Sequence, residues 1–401
     1  MDILALIKSS GVRNFAKLLS ANVVAQVIGL VVYPILTRIY APEDFGLLNL
    51  FLSISGVLVI LSTAEYYNAI VLPKEDNDAR KIIQLCLCLM LLLVVITGVS
   101  VLFSNDIASL FNTPDLAKYY WLMPILVLAS GGWNIVNYWY IRCGRYDKIS
   151  AYQLSQSILS SGGKIGFGYA GVLTGGMIYS VVLAPIVALC TSLFGKIKMA
   201  GVRNTFCFQD VLEVAKRYKN FPLYSLPRSF VNMMAGQLPV LLLTPYFGSQ
   251  YVGWWSMALL LGFIPVNMVS RSIYQVLYQY TTERVNKQLA IGPYFRRFTW
   301  GVLLVGVPVF AALFCIMPWL TTLFLGDGWE MTSTYLRWML PWLLSSILTA
   351  STGFLADIFM KQKVGFWFEL FTAFLRVVGV VLGIVLADFS VAILCYSVGT
   401  A

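Results

Sequence analysis

The feature that most restricts this chain is a succession of apolar runs of helical length, divided by short charged or turn-forming segments. They cover roughly residues 15–39, 45–72, 82–104, 116–140, 149–172 and 176–194, then 221–246, 250–280, 298–324, 335–360 and 364–387. Several exceed the roughly 20 residues that an α-helix needs to cross about 30 Å of hydrocarbon. Composition agrees. Hydrophobic residues make up 59% of the 401 positions and charged residues 11%, whereas a soluble domain is about a quarter charged. The sequence therefore predicts an all-α polytopic membrane protein of about twelve transmembrane helices. The last run, Phe389–Ala401, is too short to span and is expected to be an incomplete twelfth helix. Met1–Ser10 lacks the pattern of a cleaved signal peptide, so the first spanning helix is expected to direct insertion.

A hairpin recurs. Val31–Leu50 ends one apolar run, makes a charged turn and begins the next; Val240–Trp255 repeats that order. The correspondence pairs Asn14-Phe15 with Asn220-Phe221, Tyr40 with Tyr246, Gly46 with Gly253 and Tyr67 with Tyr274. A hairpin used twice in one orientation implies two pseudo-symmetric six-helix lobes. The boundary is expected in the longest polar segment. This gives an N-terminal lobe over 1–195, a cytoplasmic amphipathic linker over 196–220 and a C-terminal lobe over 221–401. Within the linker, Gln209–Tyr218 has the periodicity of a helix lying on the membrane surface.

Charge fixes the orientation. With the amino terminus and every second loop in the cytoplasm, 21 of the 28 basic residues fall on that side, and the opposite loops hold Lys118 alone. Basic residues concentrate in loops that are not translocated, so the amino terminus is expected inside. The formal net charge of +10 then reflects topology, and nucleic acid is not an expected partner. The chain has no histidine, which excludes histidine acid–base chemistry and histidine metal sites. The seven cysteines are scattered; Cys86 and Cys88 lie in an apolar run and read as packing residues. No metal site and no cofactor is expected. Ser160–Ile165 has a faint likeness to a phosphate loop but lacks its spacing. Without a nucleotide motif, any pumping must draw on an ion gradient, the membrane potential or consumption of the product.

Six basic residues remain within or near the ends of the spans: Arg38, Lys164, Arg228, Arg271, Arg337 and Arg376. Arg38 and Arg337 stand near outer helix ends, where snorkelling is cheap. A central Lys or Arg is disfavoured by roughly 2.5–3.5 kcal/mol on an insertion scale, so such residues normally face water or a partner. Lys164, Arg228, Arg271 and Arg376 are therefore candidates to line a cationic cavity that receives an anionic headgroup. Interior ion pairs holding helices together are the alternative. Glu65, Asp357 and Glu369 lie in or at the ends of spans, and together with Arg38 and Glu43 they are the candidates for gating or ion coupling. Under the repeat alignment Arg271 falls within one register of Glu65, so a pair closing the cytoplasmic side is expected. The abundant aromatics are expected to form interfacial belts and packing, with a few free to stack on sugar rings.

The turn Leu36-Thr-Arg-Ile-Tyr-Ala-Pro-Glu-Asp-Phe-Gly46 resembles that of the polysaccharide-synthesis branch of the multidrug/oligosaccharidyl-lipid/polysaccharide exporter superfamily, the Wzx-type flippases of O-antigen and capsule units. The likeness covers nearly the whole chain. It takes in Glu65, the Gly144-Arg-Tyr146 turn and the basic segment between the lobes. It implies twelve helices in two lobes forming a V, as in multidrug and toxin extruders. It also implies a central cationic cavity passing an undecaprenyl-diphosphate-linked oligosaccharide from the cytoplasmic to the periplasmic leaflet of the bacterial inner membrane. Proton or sodium coupling, a monomeric state and work alongside a polysaccharide polymerase and a chain-length regulator belong to the same expectation. In Ser256–Gly262 the chain lacks the Arg that many relatives carry after the Ala. The alternatives are a multidrug/cation antiporter of the same fold, a lipid II flippase, and a membrane glycosyltransferase or ligase. The antiporter would want carboxylates in the first and seventh runs, where this chain has none between Phe15 and Ile39 or between Phe221 and Tyr246. The glycosyltransferase or ligase would show acidic catalytic motifs or a large periplasmic loop, and neither is present.

Overall fold

The computed structural model describes residues 10–193, 208–286, 288, 290–350 and 362–399, and these are helical almost throughout. In chain order the α-helices are α1 Ser10–Ile39, α2 Pro42–Ser62, α3 Asp76–Ser100, α4 Ser104–Leu110, α5 Asp115–Tyr119, α6 Met123–Arg142, α7 Tyr146–Tyr169 and α8 Leu173–Leu193. There follow α9 Phe208–Arg217, α10 Leu226–Phe247, α11 Ser249–Asn286, α12 Gly292–Leu325, α13 Glu330–Ala350, α14 Gln362–Val385 and α15 Phe389–Val398. Among the described residues, Pro42–Ser62, Asp76–Leu110, Leu173–Leu193, Ser249–Ser270 and Gly292–Leu325 are long and apolar enough to cross a bilayer on length and composition alone. Their outward residues are those that hydrocarbon favours: Leu91, Leu92, Val95, Ile96 and Val99 form an exposed stripe on α3, as do Trp300, Leu304 and Val305 on α12. The chain is an all-α polytopic membrane protein. Residues 196–207 of the expected linker lie outside the described residues.

The chain forms two compact units. One takes the residues up to Tyr40 together with Leu47–Leu241; the other takes Ala41–Gly46 together with the chain from Leu242 onward. Helix α2 thus begins in the second unit and continues in the first.

In the first unit α7 packs against both α1 and α8. In hydrocarbon there is no hydrophobic drive between helices, so contact depends on small residues that let surfaces approach closely. A methyl group at Gly163 would press on Ser180, one at Gly176 on Phe167, and one at Gly168 on Ile39 and Tyr40. The room left by Gly168 and Gly176 is filled by the Tyr40 ring, 2% exposed, whose hydroxyl donates to the Lys164 carbonyl at 2.6 Å. Ser157 on α7 donates to the Ala25 carbonyl of α1 at 2.9 Å. A separate core joins α3, α6 and the start of α7 through Ile82, Ile83, Cys86, Ile135, Trp139 and Ile149.

Two elements differ from the sequence expectation. The second run, expected as one helix over 45–72, is α-helical only to Ser62. Ala64 and Glu65 take left-handed backbone, with φ of 47° and 63°, and a 3-10 segment follows over Tyr66–Val71. The break buries Tyr66, Ala69 and Ile70 and sets the Glu65 carboxylate among polar groups of the protein. The helix expected on the membrane surface forms as α9, but its apolar stripe is taken by protein. Val211 and Val214, each 6% exposed, join the core of the first unit. Lys81 pairs with Asp210 at 3.4 Å and Arg217 with Asp78 at 3.5 Å, while the Tyr66 hydroxyl donates to the Ala215 carbonyl at 3.1 Å. An amphipathic stripe needs an apolar partner, and side chains of α3 and the 3-10 segment supply it in place of acyl chains.

In the second unit α13 packs against α11, α12 and α15, and α14 against α15. Gly379 and Gly383 let α14 approach Cys395 and Ala392 of α15 at backbone distance. Trp255, Trp329 and Tyr335 are fully buried. The Tyr396 ring receives the edges of Trp255 and Trp342, with centroids 5.9 and 5.6 Å apart.

Candidate transport site

Lys164 is carried in the interior of α7, between Gly163 and Gly166, on the helix that α1 and α8 both grip. It is half-buried. Its carbonyl takes the Tyr40 hydroxyl, and among the described residues its ammonium has no hydrogen-bond or ion-pair partner. Arg228, in the first turn of α10, is exposed and likewise has no partner among the described residues. Arg376 is half-buried on α14, in the second unit. Arg271 lies on α11; its side chain, and with it the expected pairing with Glu65, lies outside the described residues.

Glu65 is 5% exposed. Its carboxylate accepts from the Tyr67 hydroxyl at 3.2 Å and, very closely, from the Asn68 side-chain amide. The Asn68 amide also donates to the Glu65 carbonyl at 3.3 Å. The left-handed turn makes this possible, because it brings residues two and three positions on back over the carboxylate. Tyr138 of α6 meets the Tyr67 ring at 4.8 Å and closes the far side. No cation pairs with Glu65 among the described residues. Asp357 and the side chain of Glu369 lie outside the described residues. Arg38 is exposed, with one guanidinium nitrogen donating to the Pro34 carbonyl at 2.6 Å. Glu43 is exposed in the first turn of α2, and its neighbour Asp44 caps the turn by accepting from the Ala41 amide at 3.0 Å.

The ion pairs among the described residues sit at helix ends and in loops: Lys81–Asp210, Lys118–Asp115, Arg142–Asp76, Arg145–Asp147 and Arg217–Asp78. None joins Lys164, Arg228 or Glu65. For these three the ion-pair alternative therefore has no support among the described residues.

Sequence reasoning missed two features of the site. One is Arg142, assigned only to a basic loop. Its side chain is 11% exposed. It donates to the carbonyls of Ile70, Pro73 and Lys74 at 3.2, 2.5 and 3.2 Å, and to the Asp76 carboxylate at 3.0 Å. It thus fixes the segment that begins at Glu65 from its far end. The other is a polar strip between α6 and α7. There the Trp133 and Tyr152 rings stack at 3.3 Å, and Asn137 and Gln153 each keep a buried side-chain oxygen without a hydrogen-bond partner among the described residues. The aromatic clusters Tyr66-Tyr67 and Tyr138-Trp139-Tyr140 were visible in the sequence, and they pack together in the core of the first unit.

Comparison with known proteins gives the wider setting. The profile of a family described as "Polysaccharide biosynthesis protein" matches residues 35–334. The succinoglycan biosynthesis transport protein ExoT of Rhizobium meliloti (strain 1021) is 24% identical over 250 residues, which cover 62% of this chain and 49% of that protein. The chain thus spans about half the length of the curated relative it matches. Among solved structures, the lipid II flippase MurJ in an inward closed conformation aligns with a TM-score of 0.72 at 12% identity, covering 96% of this chain and 84% of that one. An inward-facing multidrug resistance MATE family transporter of the MOP superfamily aligns with a TM-score of 0.69 at 14% identity, covering 94% and 91%. At such identities the likeness is one of fold. The chain shares its fold with these two solved structures and belongs to the family described as "Polysaccharide biosynthesis protein".

Proposed function

We propose that the chain is a flippase that moves an undecaprenyl-diphosphate-linked oligosaccharide from the cytoplasmic to the periplasmic leaflet of the bacterial inner membrane. The observation that carries this reading is Lys164: a cation inside a helical membrane protein of a polysaccharide-synthesis family, with no anionic partner among the described residues. An unpaired ammonium in a span calls for water or an incoming anion. A diphosphate supplies that anion through charge-assisted hydrogen bonds, and it is the part that such lipid-linked substrates share. Arg228, Arg271 and Arg376 are proposed to serve the same headgroup in sequence. Glu65 is proposed to couple export to a proton or sodium gradient. It is a buried carboxylate held by neutral donors among the described residues, so there it can gain or lose a cation without breaking an ion pair. The alternation of basic and acidic loops supports an amino terminus in the cytoplasm.

The test is complementation of a deletion strain. Loss of surface polysaccharide with unchanged drug sensitivity supports the reading. Drug hypersensitivity with intact polysaccharide would transfer the chain to the cation antiporters, and lysis would favour a lipid II flippase. Within this assay, Lys164→Ala should lower surface polysaccharide by at least about tenfold and Lys164→Arg should retain most of it, because charge and not shape is what a diphosphate reads first. Full output from Lys164→Ala would remove the lysine from the site.

A further inference from the structure

Helix α9 has a flank that the packing of its valines leaves open. Val211 and Val214 turn into the core of the first unit, and the ion pairs of Asp210 with Lys81 and of Arg217 with Asp78 tie one flank to α3. Helical periodicity places Leu212 and Lys216 on the other flank, and Lys219 follows in the turn that ends the helix. All three are exposed, and neither lysine pairs with a carboxylate among the described residues. Charge is graded along the segment. The acids Asp210 and Glu213 come first, then Lys216, Arg217 and Lys219 fall close together, and Arg228 lies in the first turn of α10. Between them the single wide turn Phe221–Ser225 presents Leu223, 58% exposed, and Tyr224, 72% exposed, directly before α10 begins at Leu226. Cations followed by an exposed Leu and Tyr at the mouth of an apolar run is the order in which a chain passes from lipid headgroups into the interfacial layer.

We propose that Lys216 and Lys219, together with Leu223 and Tyr224, form a binding site for the acidic phospholipid headgroups of the cytoplasmic leaflet. The inference goes beyond the flippase reading and does not depend on what the chain carries. Charge complementarity is the first argument. The loop pattern assigns this segment to the cytoplasmic side, where the leaflet surface is negative and draws cations that adjoin a spanning helix. The type of cation is the second. An ammonium on a flexible stem serves as a point charge and needs no fixed geometry, which suits a partner that diffuses in the plane of the bilayer. The division of faces is the third. With its valines spent on protein, α9 has no apolar stripe left to insert, so it meets the leaflet through charge while Leu223 and Tyr224 supply the apolar contact. The site has a structural consequence within the same unit. The inner face of α9 holds the segment after Glu65: the Tyr66 hydroxyl donates to the Ala215 carbonyl at 3.1 Å, and Tyr66 and Ile70 share a core with Val211 and Val214. Leaflet charge acting on the lysines therefore steadies that segment through α9.

The experiment measures amide exchange of the purified full chain in nanodiscs of phosphatidylcholine alone and of phosphatidylcholine with about one third phosphatidylglycerol. Acidic lipid should slow exchange over Phe208–Arg217 by about tenfold and should slow Tyr66–Val71 in step. The double variant Lys216→Gln with Lys219→Gln should exchange at one rate in both discs. The pair Lys216→Arg with Lys219→Arg should follow the wild type, because the charges are kept. Equal wild-type exchange over α9 in the two lipids would overturn the proposal, as would an undiminished response in the glutamine variant. A slowing shared by α8 would mark a general effect of the bilayer, and equal slowing by inorganic phosphate added to neutral discs would mark a site for small anions; either would overturn the lipid assignment. Slowing confined to α9 would support the lipid site and overturn its hold on the segment after Glu65. Export enters none of these measurements, so a failure of the flippase reading would leave them standing.

Discussion

Arg142 illustrates how one residue can set a site it does not touch. Its guanidinium is nearly enclosed and takes three backbone carbonyls and a carboxylate at once. A planar fork with five donors can do this; an ammonium with three cannot match the geometry. Arg142→Lys should therefore destabilise the protein by about 1–3 kcal/mol, the range for leaving buried polar groups without partners. Thermal unfolding in detergent would measure it, and an unchanged melting temperature would show that the carbonyls are satisfied without the arginine. Glu65 was legible in the sequence as a charge at the end of an apolar run. What was not legible was the left-handed backbone at Ala64 and Glu65, which turns Tyr67 and Asn68 onto the carboxylate. Left-handed backbone at a non-glycine residue is held by its surroundings, and the sequence beside it carries no sign of them.

At the scale of the element, α9 is the informative case. Its periodicity announces an amphipathic helix, and an amphipathic helix beside a membrane is equally well served by lipid or by protein. Val211 and Val214 settle on the core of α3, α6 and the 3-10 segment, and ion pairs to Asp78 and Lys81 secure the two ends. Val214→Asp should detach α9, since an unpaired carboxylate cannot be buried there without a cost of several kcal/mol. Amide exchange over Phe208–Arg217 should then rise to that of an unprotected segment while α7 and α8 stay protected. Exchange equal to wild type would mean that the helix is held by something other than this face. The gripping of α7 by α1 and α8 belongs to the same scale: Gly163, Gly168 and Gly176 read as ordinary glycines in a membrane helix until their opposite numbers are seen.

At the scale of the whole chain, the alternation of basic and acidic loops makes the most direct prediction. Single cysteines at Lys118 and Asp327 should react with an impermeant maleimide added to intact cells, and single cysteines at Arg145 and Arg297 should react only after permeabilisation. The opposite pattern would invert the assigned sides. A mixed pattern would mean that a span has been miscounted between the labelled loops.

The sequence by itself determined the class of the protein, the positions of most long helices and the residues of unusual charge. It could do so because hydrocarbon makes each helix satisfy its own backbone, so that length and polarity along one dimension are nearly sufficient. Only the tertiary structure decided which faces meet: Tyr40 over Lys164, Arg142 over the segment after Glu65, Val211 and Val214 in a core, Gly46 against the Ser249 backbone. Those choices depend on close approach between surfaces far apart in the chain. In oil, where apolar side chains gain little from leaving the solvent, that approach is governed by shape, and shape is not written in any local pattern of residues.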